Sequence, residues 1–118
     1  MIFDAGVFIA LDNPSKRRVV IAIVEKLQTE GVTPATTEPI LAQAWRQPAT
    51  QVPIARLVDA ISVYPFGDAK TVGARCAQTA TSDVVDASLA VLGDQLQTTI
   101  LTTDPTDMQR LGARHIAL

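Results

Sequence analysis

Apolar, β-branched segments alternate along this chain with segments whose apolar residues recur at helical spacing, and this alternation constrains the fold most strongly. The clearest example lies in the last third, where the β-branched run Thr98–Thr103 predicts a strand. Just before it, apolar residues at i, i+4, i+7 and i+11 predict an amphipathic helix, with Val85, Leu89, Leu92 and Leu96 as its stripe. Strands that alternate with helices indicate an α/β fold with a mostly parallel, twisted sheet flanked by helices.

The rest of the chain continues this pattern. The other predicted strands are Ile2–Phe3, Val32–Ala35, Ile61–Pro65 and His115–Leu118, the last of them at an edge of the sheet. The other predicted helices run from Pro14 to a stop at Gly31 and over Glu38–Arg46, Ile54–Ile61, Asp68–Gln78 and Thr106–Leu111.

Length and composition limit the class of protein. A chain of 118 residues fits one domain, expected over residues 1–118, and 47% hydrophobic residues suit a globular core. The single cysteine, Cys76, excludes an internal disulfide and suits a reducing compartment. No apolar run approaches the roughly 20 residues of a membrane span, and Met1–Asp4 has no basic secretion-signal region. We therefore expect a cytoplasmic protein.

The overall charge leaves a nucleic-acid partner open. The formal net charge is −2, which by itself argues against such a partner. Four acids, however, are candidates for a single pocket, and the rest of the chain carries +2 once their four negative charges are removed. These acids are Asp4, Asp83, Asp86 and Asp104.

Two predicted strands end on an aspartate, Asp4 and Asp104, and parallel α/β sheets bind their ligands beyond such strand ends. Asp83 and Asp86 lie i, i+3 at the start of a helix and therefore on one face. Clustered carboxylate oxygens are suitable ligands for Mg²⁺ or Mn²⁺. For Asp83 a helix cap is an equally good explanation, and Asp104 before a proline is also typical of a turn or cap.

Other chemistries find little support in the sequence. His115 is the single histidine, so a zinc site or a histidine base is not indicated. A receiver domain needs an aspartate after a central apolar strand, where this chain has Gln47–Gln51. A haloacid-dehalogenase-type phosphatase needs Asp-x-Asp, and the first strand is followed by Asp4-Ala5-Gly6.

Four segments, in this order, resemble the motifs of PIN domains. Met1–Leu11 resembles their first strand and metal aspartate, and Pro34–Arg46 the middle helix of a VapC-like subgroup. Asp86–Ala90 resembles their central aspartate helix, and Leu101–Asp104 their last catalytic strand. The interval of 18 positions between the aspartates of these last two motifs is usual for the family.

The resemblance implies a three-layer PIN-like domain that acts as a Mg²⁺- or Mn²⁺-dependent endoribonuclease, a hydrolase of RNA phosphodiester bonds. It also implies a toxin restrained by a cognate antitoxin, and self-association as a homodimer. The catalytic and metal-binding residues would be Asp4, Asp86 and Asp104, with Asp83 as a further metal ligand. Supporting roles would fall to Gln43, Thr102 and Arg46, the last as a phosphate contact on the same helix face as Gln43.

Two positions depart from the family pattern. Gln43 stands where the middle helix normally carries a glutamate, and Glu38, about 140° round the helix, does not replace it. Gly6 stands where a serine or threonine is frequent. The alternative is therefore a catalytically weak or inactive PIN domain that binds RNA or protein. The basic run Lys16–Arg18 is either a nucleic-acid contact or a solvated helix start.

Overall fold

The structure, a computed structural model, describes residues 1–47 and 49–118. Within these residues five short strands form one sheet: β1 (Ile2–Phe3), β2 (Ala35–Thr37), β3 (Ser62–Tyr64), β4 (Ile100–Thr102) and β5 (His115–Ala117). Their order is β3-β2-β1-β4-β5, and every neighbouring pair is parallel. The predicted α/β class with a parallel sheet is confirmed.

Helices connect the strands. They are α1 (Ala5–Ala10), α2 (Pro14–Thr29), α3 (Glu38–Ala44), α4 (Val52–Asp59), α5 (Ala69–Thr79), α6 (Val84–Leu96) and α7 (Pro105–Arg110). Each of α2, α3, α4 and α7 has a proline in its first turn, where a missing backbone N–H costs no helical hydrogen bond. Of the helices described, none has the length and hydropathy needed to cross a membrane.

The strand order creates a crevice at the centre of the sheet. From β1 the chain moves to β2 and β3 on one side, and it later returns to the other side of β1 for β4 and β5. Ile2 pairs with both Ala35 and Ile100, so β1 lies between the two halves. Ligands in such sheets bind beyond the carboxyl ends of the strands where the order reverses. Here that place lies beyond the ends of β1 and β4.

The core holds β1 and β4 rigidly under this crevice. Ile2, Phe3 and Ile100 are fully buried, and the ring of Phe3 contacts that of Phe8 edge to face, with centroids 6.3 Å apart. Helix α6 is buried over residues 87–93, because it packs between the sheet and α5; of its predicted apolar stripe, Leu89 and Leu92 are buried and Leu96 is exposed. Strand ends anchored in this way keep the side chains that follow them in place.

Several predicted boundaries differ from the observed ones, and two of the differences bear on the site. Strand β2 begins at Ala35 rather than Val32, and Thr36 and Thr37 are buried in it. The Thr36 hydroxyl donates to the Phe3 carbonyl oxygen at 2.8 Å, which satisfies the buried polar group. Helix α3 ends at Ala44 rather than Arg46, because Trp45 has an extended backbone.

Candidate active site

Asp4 follows β1 and is one of the few buried charged residues, with 7% of its surface exposed. The hydroxyl of fully buried Thr102, at the end of β4, donates a hydrogen bond to its Oδ2. The Thr102 oxygen also accepts a hydrogen bond from the Asp104 backbone N–H at 2.9 Å. One threonine therefore fixes both strand-end aspartates at the crevice.

Asp83 and Asp86 approach from the start of α6. Asp83 caps this helix, since its Oδ1 accepts hydrogen bonds from the N–H groups of Val85 (3.1 Å) and Asp86 (3.0 Å). The capping explanation of Asp83 is thus confirmed. Asp86 is half-buried in the first turn, where the helix dipole favours a negative charge. The predicted position of Asp86 at the start of a helix is confirmed.

The electrostatics of Asp86 connect the two groups of carboxylates. The pKa of Asp86 is raised to about 7, mainly by burial and in addition by the nearby negative charges of Asp83, Asp4 and Asp107. A hydrogen bond between the Asp83 and Asp86 side chains also favours the protonated form. Asp86 thus lies within electrostatic reach of carboxylates from β1, α6 and α7.

Asp107 is a site residue that the sequence analysis missed. It lies in the first turn of α7, whose cap is Asp104; the Asp104 Oδ1 accepts the Asp107 N–H at 3.2 Å. A side-chain hydrogen bond to Asp104 and the charge of Asp104 raise the pKa of Asp107, while Arg110 opposes the shift. The signal was present, because Asp104 and Asp107 repeat the i, i+3 spacing of Asp83 and Asp86.

The starts of α6 and α7 share a hollow of about 180 Å³. Its lining residues are Thr81, Asp83, Asp86, Asp107, Arg110 and Leu111. Three of the four helix-start aspartates line it, Asp83, Asp86 and Asp107, with Arg110 as the cation beside them, whereas Asp104 does not. Asp4 and Thr102 lie at the strand ends and do not line it.

The carboxylates do not form a ready-made metal cage. Across residues 1–47 and 49–118, no group of three His, Cys, Asp or Glu side chains is arranged to hold an ion as it stands. The convergence of Asp4, Asp86 and Asp104 on one ion stays a prediction.

The donor set nevertheless fits a hard divalent cation. Apart from the carboxyl–carboxyl hydrogen bonds of Asp83 with Asp86 and of Asp104 with Asp107, the second oxygens of Asp4, Asp83 and Asp104 accept no hydrogen bond from the described part of the chain. In the same residues the one ion pair joins Arg75 to Asp94, so none of the site aspartates has a cation at ion-pair distance. Oxygen ligands with uncompensated negative charge suit Mg²⁺ or Mn²⁺.

The middle helix contributes less than the sequence predicted. Gln43 is exposed on α3 and makes no hydrogen bond to the aspartates in the residues described. Glu38 lines a separate hollow with Leu41, Ala42, Trp45 and Val58, so it does not replace the missing glutamate. The prediction that Arg46 shares a helix face with Gln43 was wrong, because α3 ends before Arg46. Its guanidinium donates to the carbonyl oxygens of Ala42 and Trp45 instead.

Gly6, in the first turns of α1, is in close contact with Thr103. A Cβ atom at position 6 would lie 1.7 Å from the Thr103 Oγ1 and 2.8 Å from its Cβ. A serine or threonine therefore does not fit at this position unless Thr103 moves. A threonine hydroxyl thus occupies the space that a side chain at position 6 would take.

Two of the solved structures that share this architecture are bound to DNA fragments, whereas no protein-family model and no curated protein matches the chain. One is the crystal structure of VapBC2 from Rickettsia felis bound to a DNA fragment from their promoter. It matches with a TM-score of 0.73 and 15% sequence identity, over 100% of this chain and 99% of that one.

The other is the structure of FitAB bound to an IR36 DNA fragment. It matches with a TM-score of 0.68 and 18% identity, over 98% of this chain and 93% of that one. The chain has a PIN-like fold. The fold implied by the motif resemblance is confirmed, and at these identities the likeness concerns the fold alone. In this PIN-like fold the aspartates of the matching motifs lie at the central crevice.

Proposed function

We propose that this chain is a metal-dependent endoribonuclease, a hydrolase that uses Mg²⁺ or Mn²⁺ to cleave RNA phosphodiester bonds. One observation carries the proposal. Aspartates that follow β1 and β4 and aspartates that begin α6 and α7 gather at the switch point of the sheet, with no ion-pair partner in the described residues. Such a concentration of negative charge is costly unless a cation joins it.

Asp4, Asp86 and Asp104 would hold the ion, and Asp83 and Asp107 would add their free oxygens or orient its water molecules. When bound, a divalent ion lowers the pKa of water and stabilises the charge that develops on the phosphate. Thr102 keeps Asp4 oriented by its hydrogen bond. The pKa of about 7 belongs to Asp86 in the metal-free protein, and a divalent ion would favour its charged form, so metal binding at neutral pH would release a proton from Asp86.

The replacement of the family's glutamate by Gln43 weakens the proposed metal site without abolishing it. A glutamine carbonyl oxygen can still bind a metal-bound water, but it carries no charge. We therefore place Gln43 in a supporting role and expect lower metal affinity. Loss of catalysis, leaving an RNA- or protein-binding module, is the alternative that the experiment below separates.

Partners follow from the structural neighbours. Both matching structures are complexes, VapBC2 and FitAB, and both are bound to DNA. We propose that this chain is likewise a toxin held by a cognate antitoxin protein, that it forms a homodimer, and that it acts on RNA in the cytoplasm. Light scattering at high micromolar concentration tests the homodimer, because a monomer there would contradict it.

The test of the proposed function is cleavage of total cellular RNA by the purified protein at increasing Mn²⁺ concentrations and in EDTA. The proposal predicts cleavage that requires metal and is lost in Asp86→Asn. Asp59→Asn is the matched control, since it removes an exposed carboxylate at the end of α4. Wild type that is indistinguishable from Asp86→Asn at every metal concentration would favour the binding module.

A further inference from the structure

A second hollow, of about 230 Å³, lies beside the strand-end aspartates. Its lining residues are Lys16, Val19, Thr103 and Leu118. Two of them come from the first turns of α2, one follows β4, and the last follows β5. The Leu118 N–H donates to the Thr102 carbonyl oxygen at 2.8 Å, so this side of the hollow is fixed to the strand that orients Asp4.

Thr103 connects the hollow to the carboxylate site along the chain. This residue lies between Thr102, which binds Asp4, and Asp104, which caps α7. Neighbouring Cα atoms are about 3.8 Å apart, so the Thr103 hydroxyl lies within a residue's length of both. The Thr103 side chain packs against Gly6, because the glycine has no Cβ and the threonine hydroxyl fills that space.

The two polar groups of the hollow are available to a ligand. Thr103 is exposed, and its hydroxyl makes no hydrogen bond in the part of the chain described. Lys16 is exposed and forms no ion pair there either. Arg17, by contrast, donates its Nε to the Leu11 carbonyl oxygen at 2.7 Å and so has a structural role. Arg18 is exposed but does not line the hollow.

We propose that this hollow, here called the Lys16–Thr103 subsite, binds the backbone of the RNA strand next to the scissile phosphodiester. The Lys16 ammonium and the Thr103 hydroxyl would bind a phosphate, as lysine and threonine commonly do. Val19 and Leu118 would pack against the adjoining ribose. This inference rests on the proposed function and adds to it a site for the flanking nucleotide.

Charge supports an anionic ligand at this place. The aspartates repel a polyanion until metal neutralises them, so the strand needs a positive contact outside the metal site. Lys16 is a cation in the hollow that borders Thr103. A lysine ammonium binds a charged phosphate oxygen more strongly than an uncharged acceptor.

The experiment measures binding of a labelled single-stranded RNA in Ca²⁺ and its cleavage in Mn²⁺, each at several salt concentrations. The variants are Lys16→Gln, Thr103→Val and, as matched control, Arg18→Gln, which removes a neighbouring exposed cation. Thermal unfolding checks that each variant folds, and Lys16→Arg tests whether a cation alone suffices.

The subsite predicts about three- to tenfold weaker binding and a correspondingly higher KM for Lys16→Gln. The slope of log K against log salt should fall by about 0.7, the value for one single-strand phosphate contact. Thr103→Val should weaken binding about two- to fivefold without changing that slope, because it removes no charge. Arg18→Gln should behave like wild type.

Two results would overturn the subsite and are distinguishable. If wild type cleaves RNA but Lys16→Gln and Arg18→Gln have equal KM and equal salt slopes, the subsite is wrong and the nuclease remains. If wild type neither binds nor cleaves RNA in any metal, both the subsite and the proposed function are wrong. Equal effects from Lys16→Gln and Arg18→Gln, even large ones, would likewise indicate general charge rather than this hollow.

Discussion

The hydroxyl of Thr102 donates to the carboxylate of Asp4, 98 positions away in sequence, and its oxygen accepts the backbone N–H of Asp104. A single buried side chain therefore connects the first metal-binding candidate to the last. Thr102→Val keeps the shape but leaves a buried carboxylate and an N–H without this partner. We expect a loss of about 1–3 kcal/mol in the free energy of unfolding, measured by urea denaturation. Thr102→Ser should retain most of the stability, and a Val variant as stable as wild type would show that this link contributes nothing.

Asp86 predicts how stability depends on pH in metal-free protein. Its pKa is raised from 3.8 in the unfolded chain to about 7 in the folded one, so folding takes up a proton between these values. Stability from this group is fully present below pH 4 and is lost as pH rises through 7. Asp86→Asn removes that loss. The free energy of unfolding of this variant at pH 8 should exceed that of wild type by on the order of 1–2 kcal/mol, a modest value because water screens the half-exposed group.

Urea denaturation of both proteins in EDTA at pH 5 and pH 8 checks this prediction. Asp59→Asn serves as the control, because its carboxylate is exposed on α4, away from the site. If the difference between Asp86→Asn and wild type is the same at both pH values, the carboxylates do not interact as described.

Gly6 and Gly73 form a matched pair for the contact with Thr103. Both lie in helices, but a Cβ at Gly6 would meet the Thr103 hydroxyl at 1.7 Å, whereas a Cβ at Gly73 meets nothing within 4 Å. Gly6→Ala should lower the free energy of unfolding by about 1–3 kcal/mol because of overpacking. Gly73→Ala should raise it by about 0.5–1 kcal/mol. Adding Thr103→Gly to Gly6→Ala should recover part of the loss. Thermal unfolding of the variants would contradict this contact if both alanine substitutions had the same effect.

Gln43→Glu tests whether α3 takes part in the metal site. One added charge in a partly solvated pocket contributes on the order of 1–3 kcal/mol, or about one to two decades in metal affinity. RNA cleavage by this variant should therefore reach its half-maximum at lower Mn²⁺ concentration. Gln28→Glu is the control, since Gln28 lines a hollow between α2 and α4 that contains none of the site aspartates. Equal metal curves for the two variants would remove Gln43 from the site.

The sequence predicted the long, strongly patterned elements and missed what depends on single tertiary contacts. Helix α6 and strand β4 followed from apolar spacing and β-branched composition, because burial against the sheet requires that pattern. Strand β2 was misplaced because Thr36 and Thr37 read as polar. Burial of Thr36 depends on its hydrogen bond to Phe3, 33 positions away, and the buried Thr37 hydroxyl accepts the Ile40 N–H.

The site was predicted in the same uneven way. Asp4 and Asp104 could be found because both follow strands whose order puts them at the crevice. Asp107 was missed although its spacing from Asp104 matches that of Asp86 from Asp83. The predicted role of Arg46 required α3 to continue to Arg46. The helix ends two residues earlier, and the Arg46 guanidinium donates to the carbonyl oxygens of Ala42 and Trp45 instead.

Direct titration with Mn²⁺, followed by isothermal calorimetry, tests most directly whether these aspartates form a metal site. Wild type should bind Mn²⁺, and Asp86→Asn should bind at least about tenfold more weakly. Asp83→Asn should lose less, because asparagine still caps α6, and Asp59→Asn should match wild type. If wild type binds no Mn²⁺, or if Asp86→Asn binds it as tightly as wild type, the aspartates at this crevice are not a metal site.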